Sequence, residues 1–519
     1  MKIPFLTISI CLLLYCVPIL QAQNDPVVDE IIELGKGDNQ TMEHLDILSN
    51  RFGGRLIGSD AYENAAEWAA YKFKSWGMQV EMDKAGELPV GFNRGPWFGK
   101  MISENGMHLH LATPSYTSGT KGVQRGHVLS EAYTQAEFDK MKGKLKGAWV
   151  LIGGTNKGLP IDYSASAEHV RDSIIIANTM ISEKNKLLSS ENRKNKTKKE
   201  LIPINREPAL FYKQMIEAGI LGIIQSATVP IKAMTDKVNY MDMTFETLPT
   251  VPDIKLDEHQ YEIIKKMVEE RRWFQLEFDI RNHFKLGPIA YHNVIGIIPG
   301  TEFPDEYVIM GAHLDAYDVA TGGVDNGSGV SPVMEAARLI MEAGGKPRRT
   351  ILVCLWAGEE FGLLGSLSWV ERNESKWDKI SYVINRDDAP WIPVSMDVTT
   401  AMWKDMEKVI EPVKEIDKEF SFSLVKNTPI LPEKAYGSDH APFSYVGIPA
   451  VNLGTLDPRG YDFDYREIWH TERDLFNKSI PVYQNYASTV MAVLVYGIAN
   501  LDHLLPREGF YLPPDEIGK

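Results

Sequence analysis

The chain has 519 residues, more than one hydrophobic core serves, so a main domain with a smaller companion is expected. Apolar residues make up 44% and charged residues 24%, a globular composition that leaves no case for general disorder. The formal charge of −15 argues against a nucleic-acid partner, because binding a polyanion requires a basic surface that displaces its counterions.

Met1-Lys2, an apolar run from Ile3 to Leu20 and then Gln21-Ala22-Gln23 predict a signal peptide over residues 1–22 and a secreted or periplasmic product. An uncleaved anchor is the alternative for a run of this length, but no second such stretch follows, so stable membrane insertion is not expected after cleavage. Cys11 and Cys16 fall inside this segment. Cys354 is then the one cysteine of the mature chain, and its apolar run reads as a buried strand.

Residues 23–110 are predicted to begin the main domain. Asp29 to Gly35 and Gln40 to Asn50 have helical spacing, and the turn-rich Gly54-Arg55-Leu56-Ile57-Gly58-Ser59 follows. Ala65, Trp68, Ala69, Phe73 and Trp76 then recur at steps of three and four, one apolar stripe of a helix that packs on a sheet. From 111 to 285 the texture changes to short β-like runs such as Ala148 to Ile152, predicting a smaller, β-rich inserted domain. Within it, Glu183 to Glu200 is nearly devoid of apolar residues and reads as a solvated loop.

From 286 to 519 the pattern is strand, loop and helix in repetition, which predicts an α/β fold with a mainly parallel sheet covered on both faces. Tyr307 to Met310, Ile351 to Trp356, Tyr382 to Ile384 and Pro449 to Leu453 are the strand candidates, and Pro332 is expected near the start of a helix ending at Ala343. Such sheets bind ligands beyond the carboxyl ends of their strands.

Those ends carry the chemistry. His313-Leu314-Asp315 follows the first strand, and Asp325 lies in the glycine-rich Gly322 to Gly329. Glu359-Glu360 ends the next strand, where two adjacent carboxylates repel; a cation can bind one and leave the other free to exchange protons. A third strand ends in Asn385-Arg386-Asp387-Asp388, and His470 comes later with Asp474 four positions on, in range to orient it. Alone, His313 could simply end a strand and Asp325 cap a helix. Their convergence predicts a catalytic metal site, and mixed imidazole and carboxylate donors suit zinc. His440 is an equally good ligand by bare chemistry, and Asp387 and Asp388 are not distinguished.

These motifs, together with Asn293 to Gly300 and the Gly54 to Ser59 junction, resemble the co-catalytic zinc aminopeptidase family, which includes bacterial leucyl aminopeptidases, plasma glutamate carboxypeptidase (carboxypeptidase Q) and glutaminyl cyclases. The insert resembles a protease-associated domain. The resemblance implies two zinc ions per chain, with Asp325 bridging them, His313 and Asp387 completing one site and Glu360 and His470 the other. It implies Glu359 as general base, Asp315 orienting His313, a cis Asp325-Asn326 peptide, and Asp439 and His440 near the substrate. The Asn-x-Asp frame favours Asp387 over Asp388. The activity implied is peptide hydrolysis by an exopeptidase, an aminopeptidase first. Dipeptidase or carboxypeptidase activity of the carboxypeptidase Q type, glutaminyl cyclisation and a non-catalytic binding module are the alternatives.

Overall fold

The computed structural model describes residues 25–510 except 104–105, 155, 161–167, 196, 198, 203–208, 236–242, 389 and 428–436; the expected signal peptide lies outside the described residues. Six strands form the central sheet in the order Gln79–Asn93, His283–Ile298, Arg349–Trp356, Phe303–His313, Ile380–Asn385 and Ala450–Asn452. The first two are long and antiparallel, and His283–Ile298 is antiparallel to Arg349–Trp356. From Arg349–Trp356 onward all neighbours are parallel.

Alternate residues of the parallel strands enter two different cores, which is why these strands read as continuous apolar runs. Val308, Met310, Ala312, Val353 and Leu355 face helices Asp60–Ser75, Gly327–Glu342 and Pro481–Ala499. Ile309, Leu352, Cys354 and Trp356 face Trp369 and Phe443 on the other side. Each fully buried aliphatic or aromatic side chain contributes about 1.5–3 kcal/mol, so a sheet filled on both faces is a rigid platform for the loops at its carboxyl ends. The stripe predicted on the third helix is the buried face of Asp60–Ser75, with Ala65, Ala69 and Phe73 fully enclosed.

A second, seven-stranded sheet takes all its strands from the chain between the two long strands, from Trp97–Met101 to Leu276–Ile280. Its centre, Gln124–Ser130, Ala148–Ile152, Gly222–Ala227 and Asp253–Asp257, is parallel and has a core on each face. Among the described residues no helix is long and apolar enough to cross a membrane.

Two local expectations are corrected. Glu183 to Glu200 is not a loop along most of its length, because helix Glu168–Asn195 runs through it. Polar contacts rather than apolar burial hold its end: Asn185 donates to the Ile202 carbonyl at 2.8 Å, Ile202 N–H donates back at 2.7 Å, and Lys199 pairs with Glu191 at 2.7 Å. Pro332 lies inside helix Gly327–Glu342 rather than at its start. The Ser328 and Ser331 hydroxyls donate to the Val324 and Gly327 carbonyls along this opening stretch.

Candidate metal centre

Three consecutive parallel strands deliver the site. His313 is the last residue of Phe303–His313, and its Nδ1 donates to the Asp315 carbonyl at 2.9 Å. A carbonyl only accepts, so this bond assigns the proton to Nδ1 and leaves the Nε2 lone pair for a cation. The Asp315 carboxylate has other work, accepting the Glu359 and Glu360 backbone N–H groups at 3.1 Å each. It therefore ties the first strand-end loop to the second, and with Oδ1 3.6 Å from His313 Nδ1 it adds to the hold of its backbone oxygen on that ring.

The glycines before Asp325 have distinct reasons. Gly322 has φ of 59°, and a Cβ on Gly323 would stand 2.3 Å from the Leu475 backbone. The close approach lets Asp474 accept the Val324 N–H at 2.6 Å and the Asp325 N–H at 3.2 Å. Asp474 was expected to orient His470; instead it fixes the loop that carries Asp325. The His470 Nδ1 lies 3.2 Å from the Met234 sulfur, and the Tyr317 ring packs on its imidazole at 4.5 Å. Asn326 follows a cis peptide and donates to the Arg386 carbonyl at 2.9 Å, tying this loop to the third strand end.

Beneath these loops lies Arg55, fully buried and donating to the carbonyls of Leu48, Gly53, Leu314, Thr321 and Gly322. Burial lowers its pKa to about 10 against the raising pull of Asp474, Asp315 and Asp325. The Gly54 to Ser59 junction thus supplies a cation that staples both flanks of the His313–Asp325 loop.

The side chains converge in two groups that share Asp325. Its Oδ1 is 3.3 Å from His313 Nε2, which is 3.5 Å from Asp387 Oδ1. Its Oδ2 is 3.2 Å from His470 Nε2, which is 3.1 Å from Glu360 Oε2. Burial alone would raise the Asp325 pKa, but the two imidazoles hold it far below the carboxylate range. Burial likewise opposes protonation of His470, yet Glu360 and Asp325 lift it to about 9, and Asp387, Asp315 and Asp325 lift His313 well above 6.5. Carboxylates that favour positive charge on the imidazoles would favour a metal cation there as well, and nitrogen and oxygen donors already surround each position at ligand spacing. The donor set fits two divalent ions.

Glu359 belongs to neither group. Burial, then Asp387, Glu360 and Asp439, push its pKa well above the usual range, with His313 opposing. Asp388 faces away, paired with Arg386 at 2.9 Å, so Asp387 alone of the two joins the His313 group. His440 joins neither group, although it is close enough for Asp387 to act on its charge. Asp439 accepts from the Ser366 hydroxyl, and its Oδ2 is buried without a hydrogen-bond partner among the described residues. Burial pushes its pKa up to about 7.

Sequence reasoning did not single out Arg55, Tyr317 or Met234. Tyr317 was within reach, four residues after His313 in the same strand-end loop, whereas Met234 arrives from the second sheet's part of the chain and no local pattern marks it.

Residues 293–494 match the model of peptidase family M28. Carboxypeptidase Q of Xenopus laevis is 24% identical over 504 residues, covering 93% of this chain and 91% of that protein. Among solved structures, a peptidase M28 precursor from Shewanella amazonensis superposes with a TM-score of 0.56 at 20% identity, covering 92% of this chain and 97% of that one. BSAP, a zinc aminopeptidase from Bacillus subtilis, does so with a TM-score of 0.52 at 17% identity, covering 91% and 97%. These two share the fold. The matched segment, 293–494, is similar to the domain of that family and carries both ligand groups, and the protein is accordingly a metallopeptidase.

Proposed function

We propose that the protein is an exported, two-zinc exopeptidase that acts as an aminopeptidase. One observation carries the two-metal reading: the two oxygens of the buried Asp325 face different imidazoles, His313 and His470, each with a further carboxylate beside it. Nitrogen and oxygen donors without thiolates suit catalytic zinc. His313, Asp325 and Asp387 would hold one ion, and Asp325, Glu360 and His470 the other. Bound there, such ions supply Lewis acidity, acidifying water and polarising a carbonyl.

Glu359 is the proton carrier in this reading: its carboxylate takes a proton from the attacking water and hands it to the leaving amine. Asp315 holds the Glu359 and Glu360 backbones by their N–H groups, so the base and the ligand beside it keep their separation. The carboxylate surplus, with Asp439 Oδ2 buried and unsatisfied, supports a substrate that brings a free ammonium group. Asp439 and His440 are the substrate-facing residues of this proposal. The sequence of residues 1–22 supports export.

A carboxypeptidase Q type activity is the second reading, favoured by the full-length match to that protein. Aminoacyl-nitroanilides, free dipeptides and amino-blocked dipeptides, each assayed with and without chelator, separate the two. Chelator-sensitive cleavage of the nitroanilides supports the aminopeptidase, whereas cleavage of blocked dipeptides alone overturns it in favour of the second reading.

A further inference from the structure

The two imidazoles of the centre are oriented from different parts of the chain. His313 is held from within its own loop, by the Asp315 carbonyl two residues on. His470 has no such neighbour in sequence. The polar side chains after it are engaged elsewhere: the Thr471 hydroxyl donates to the Glu467 carbonyl at 2.7 Å, and Asp474 accepts the Val324 and Asp325 N–H groups. Its backbone has φ of 60°, in the left-handed region that a residue with a β-carbon does not favour, so the aim of the ring depends on what surrounds it.

Two rings and a thioether surround it. Tyr317 packs on the imidazole with centroids 4.5 Å apart, and Trp469 stacks on it at 4.0 Å. These rings restrict its tilt but do not distinguish its two nitrogens. The Met234 sulfur does, 3.2 Å from Nδ1. A thioether has no proton to give and can only accept, so this contact assigns the proton to Nδ1 and leaves Nε2 facing Asp325 at 3.2 Å and Glu360 at 3.1 Å.

Met234 arrives on a short strap from the second sheet's part of the chain, and the strap is fixed on both sides of it. Lys232 forms an isolated antiparallel bridge with Thr471, the residue after His470. The Glu472 N–H donates to the Ile231 carbonyl and the Ile231 N–H to the Glu472 carboxylate, both at 3.1 Å. The Met234 N–H donates to the Gly158 carbonyl at 2.7 Å. Lys232 Nζ also stands 4.4 Å from the centroid of the Trp469 ring, the one that stacks on His470. The strap thus touches both the edge of the imidazole and the ring that covers its face.

We propose that Met234 is a positioning residue for the metal site formed by Asp325, Glu360 and His470: its sulfur accepts the Nδ1 proton of His470 and so fixes the tautomer and the aim of Nε2. This rests on the two-zinc reading. The site at His313 is oriented by the loop that follows its own strand, whereas the site at His470 depends on a residue 236 positions away, so the docking of the second sheet's part of the chain governs one ion and not the other.

The test compares Met234→Leu and Met234→Gln with the wild type. Leu conserves volume and apolar character but removes the acceptor, and Gln returns an acceptor oxygen on a side chain of similar length. In Met234→Leu one of the two zinc-binding steps, measured in competition with a chelator, is expected to weaken about 10–100-fold while the other keeps its wild-type affinity, and Met234→Gln to recover most of the loss. Unchanged affinity in both steps overturns the assignment, and so does a loss that Gln does not recover, which would make the effect one of packing. A second measurement needs no zinc: NMR of the nitrogen-labelled, metal-free protein, following exchange of the His470 Nδ1 proton with water. Slow exchange in the wild type, made fast in Met234→Leu, supports the proposal even if the chain takes up fewer than two zinc ions; equal exchange in the two proteins overturns it whatever metal the site holds.

Discussion

Glu359→Gln separates the proposed base from the ligands around it. Gln keeps the length and volume of the side chain, and the backbone N–H remains on Asp315 at 3.1 Å, so the loop has no reason to move. Glu359 contributes no atom to either ligand group, so zinc should stay at wild-type occupancy. What is lost is proton transfer, worth about 10²–10⁴-fold in rate. At about 1.36 kcal/mol per factor of ten this raises the barrier by about 2.7–5.4 kcal/mol. The assay is kcat on leucine p-nitroanilide at saturating zinc, with metal content and melting temperature measured on the same preparation. A loss under tenfold with zinc retained refutes the role of Glu359 as base. Loss of zinc in step with activity refutes it differently, by making Glu359 a ligand.

Asp474→Ala removes the acceptor for the Val324 and Asp325 N–H groups and is expected to weaken zinc binding about 10–100-fold in competition with a chelator, with His470 untouched in sequence. Glu335→Ala breaks a buried cluster in which His44 approaches at 3.1 Å and Arg338 at 2.8 Å, joining the N-terminal helices to helix Gly327–Glu342. Leaving Arg338 short of its buried partner should cost about 3–5 kcal/mol in urea unfolding of the metal-free chain. Gly323→Ala, whose Cβ would meet the Leu475 backbone at 2.3 Å, should lower zinc affinity by pushing the Asp325 loop outward, while Gly344→Ala, with open space around it but φ of 71°, should cost about 1 kcal/mol in stability and leave zinc binding intact. His110 titrates between Glu472 and Asp257: burial lowers its pKa, but the two carboxylates prevail and hold it above 6.5. A raised folded-state pKa means its contribution is complete below pH 6.5 and fades as pH rises through the folded value. The side chain is 42% exposed, so screening limits the effect to about 0–1 kcal/mol. His110→Ala should therefore lower the melting temperature at pH 5.5 more than at pH 8.5, and an equal change at both would contradict the clasp.

The parts of the fold visible in the sequence are those where local pattern and burial agree. Strands 303–313, 349–356 and 380–385 are buried on both faces, so they read as apolar runs, and the polar residues ending them mark the loops of the site. His313, Asp325, Glu360 and Asp387, in the loops after those strands, were legible as candidates for that reason, whereas His470 follows none of them and was chosen over His440 by the family resemblance. The end of helix Glu168–Asn195 was not legible, because Glu183 to Glu200 holds only Leu187 and Leu188 as apolar residues and its contacts are made by amides and charged side chains. Asp474 was seen but given the wrong partner: spacing along the chain pointed it at His470, whereas the folded loop offers backbone N–H groups nearer to hand, and Asp315 meets His313 as expected while also holding two backbone N–H groups. Arg55 acts across long stretches of chain, through contacts that no window of sequence contains.

Zinc titration of the metal-free protein, followed by calorimetry and checked by elemental analysis, tests the shared Asp325 site most directly. The account expects two zinc ions per chain in the wild type, and neither held tightly by Asp325→Ala, since both ligand groups lose the same carboxylate. A single zinc in the wild type, or two retained in Asp325→Ala, would contradict it.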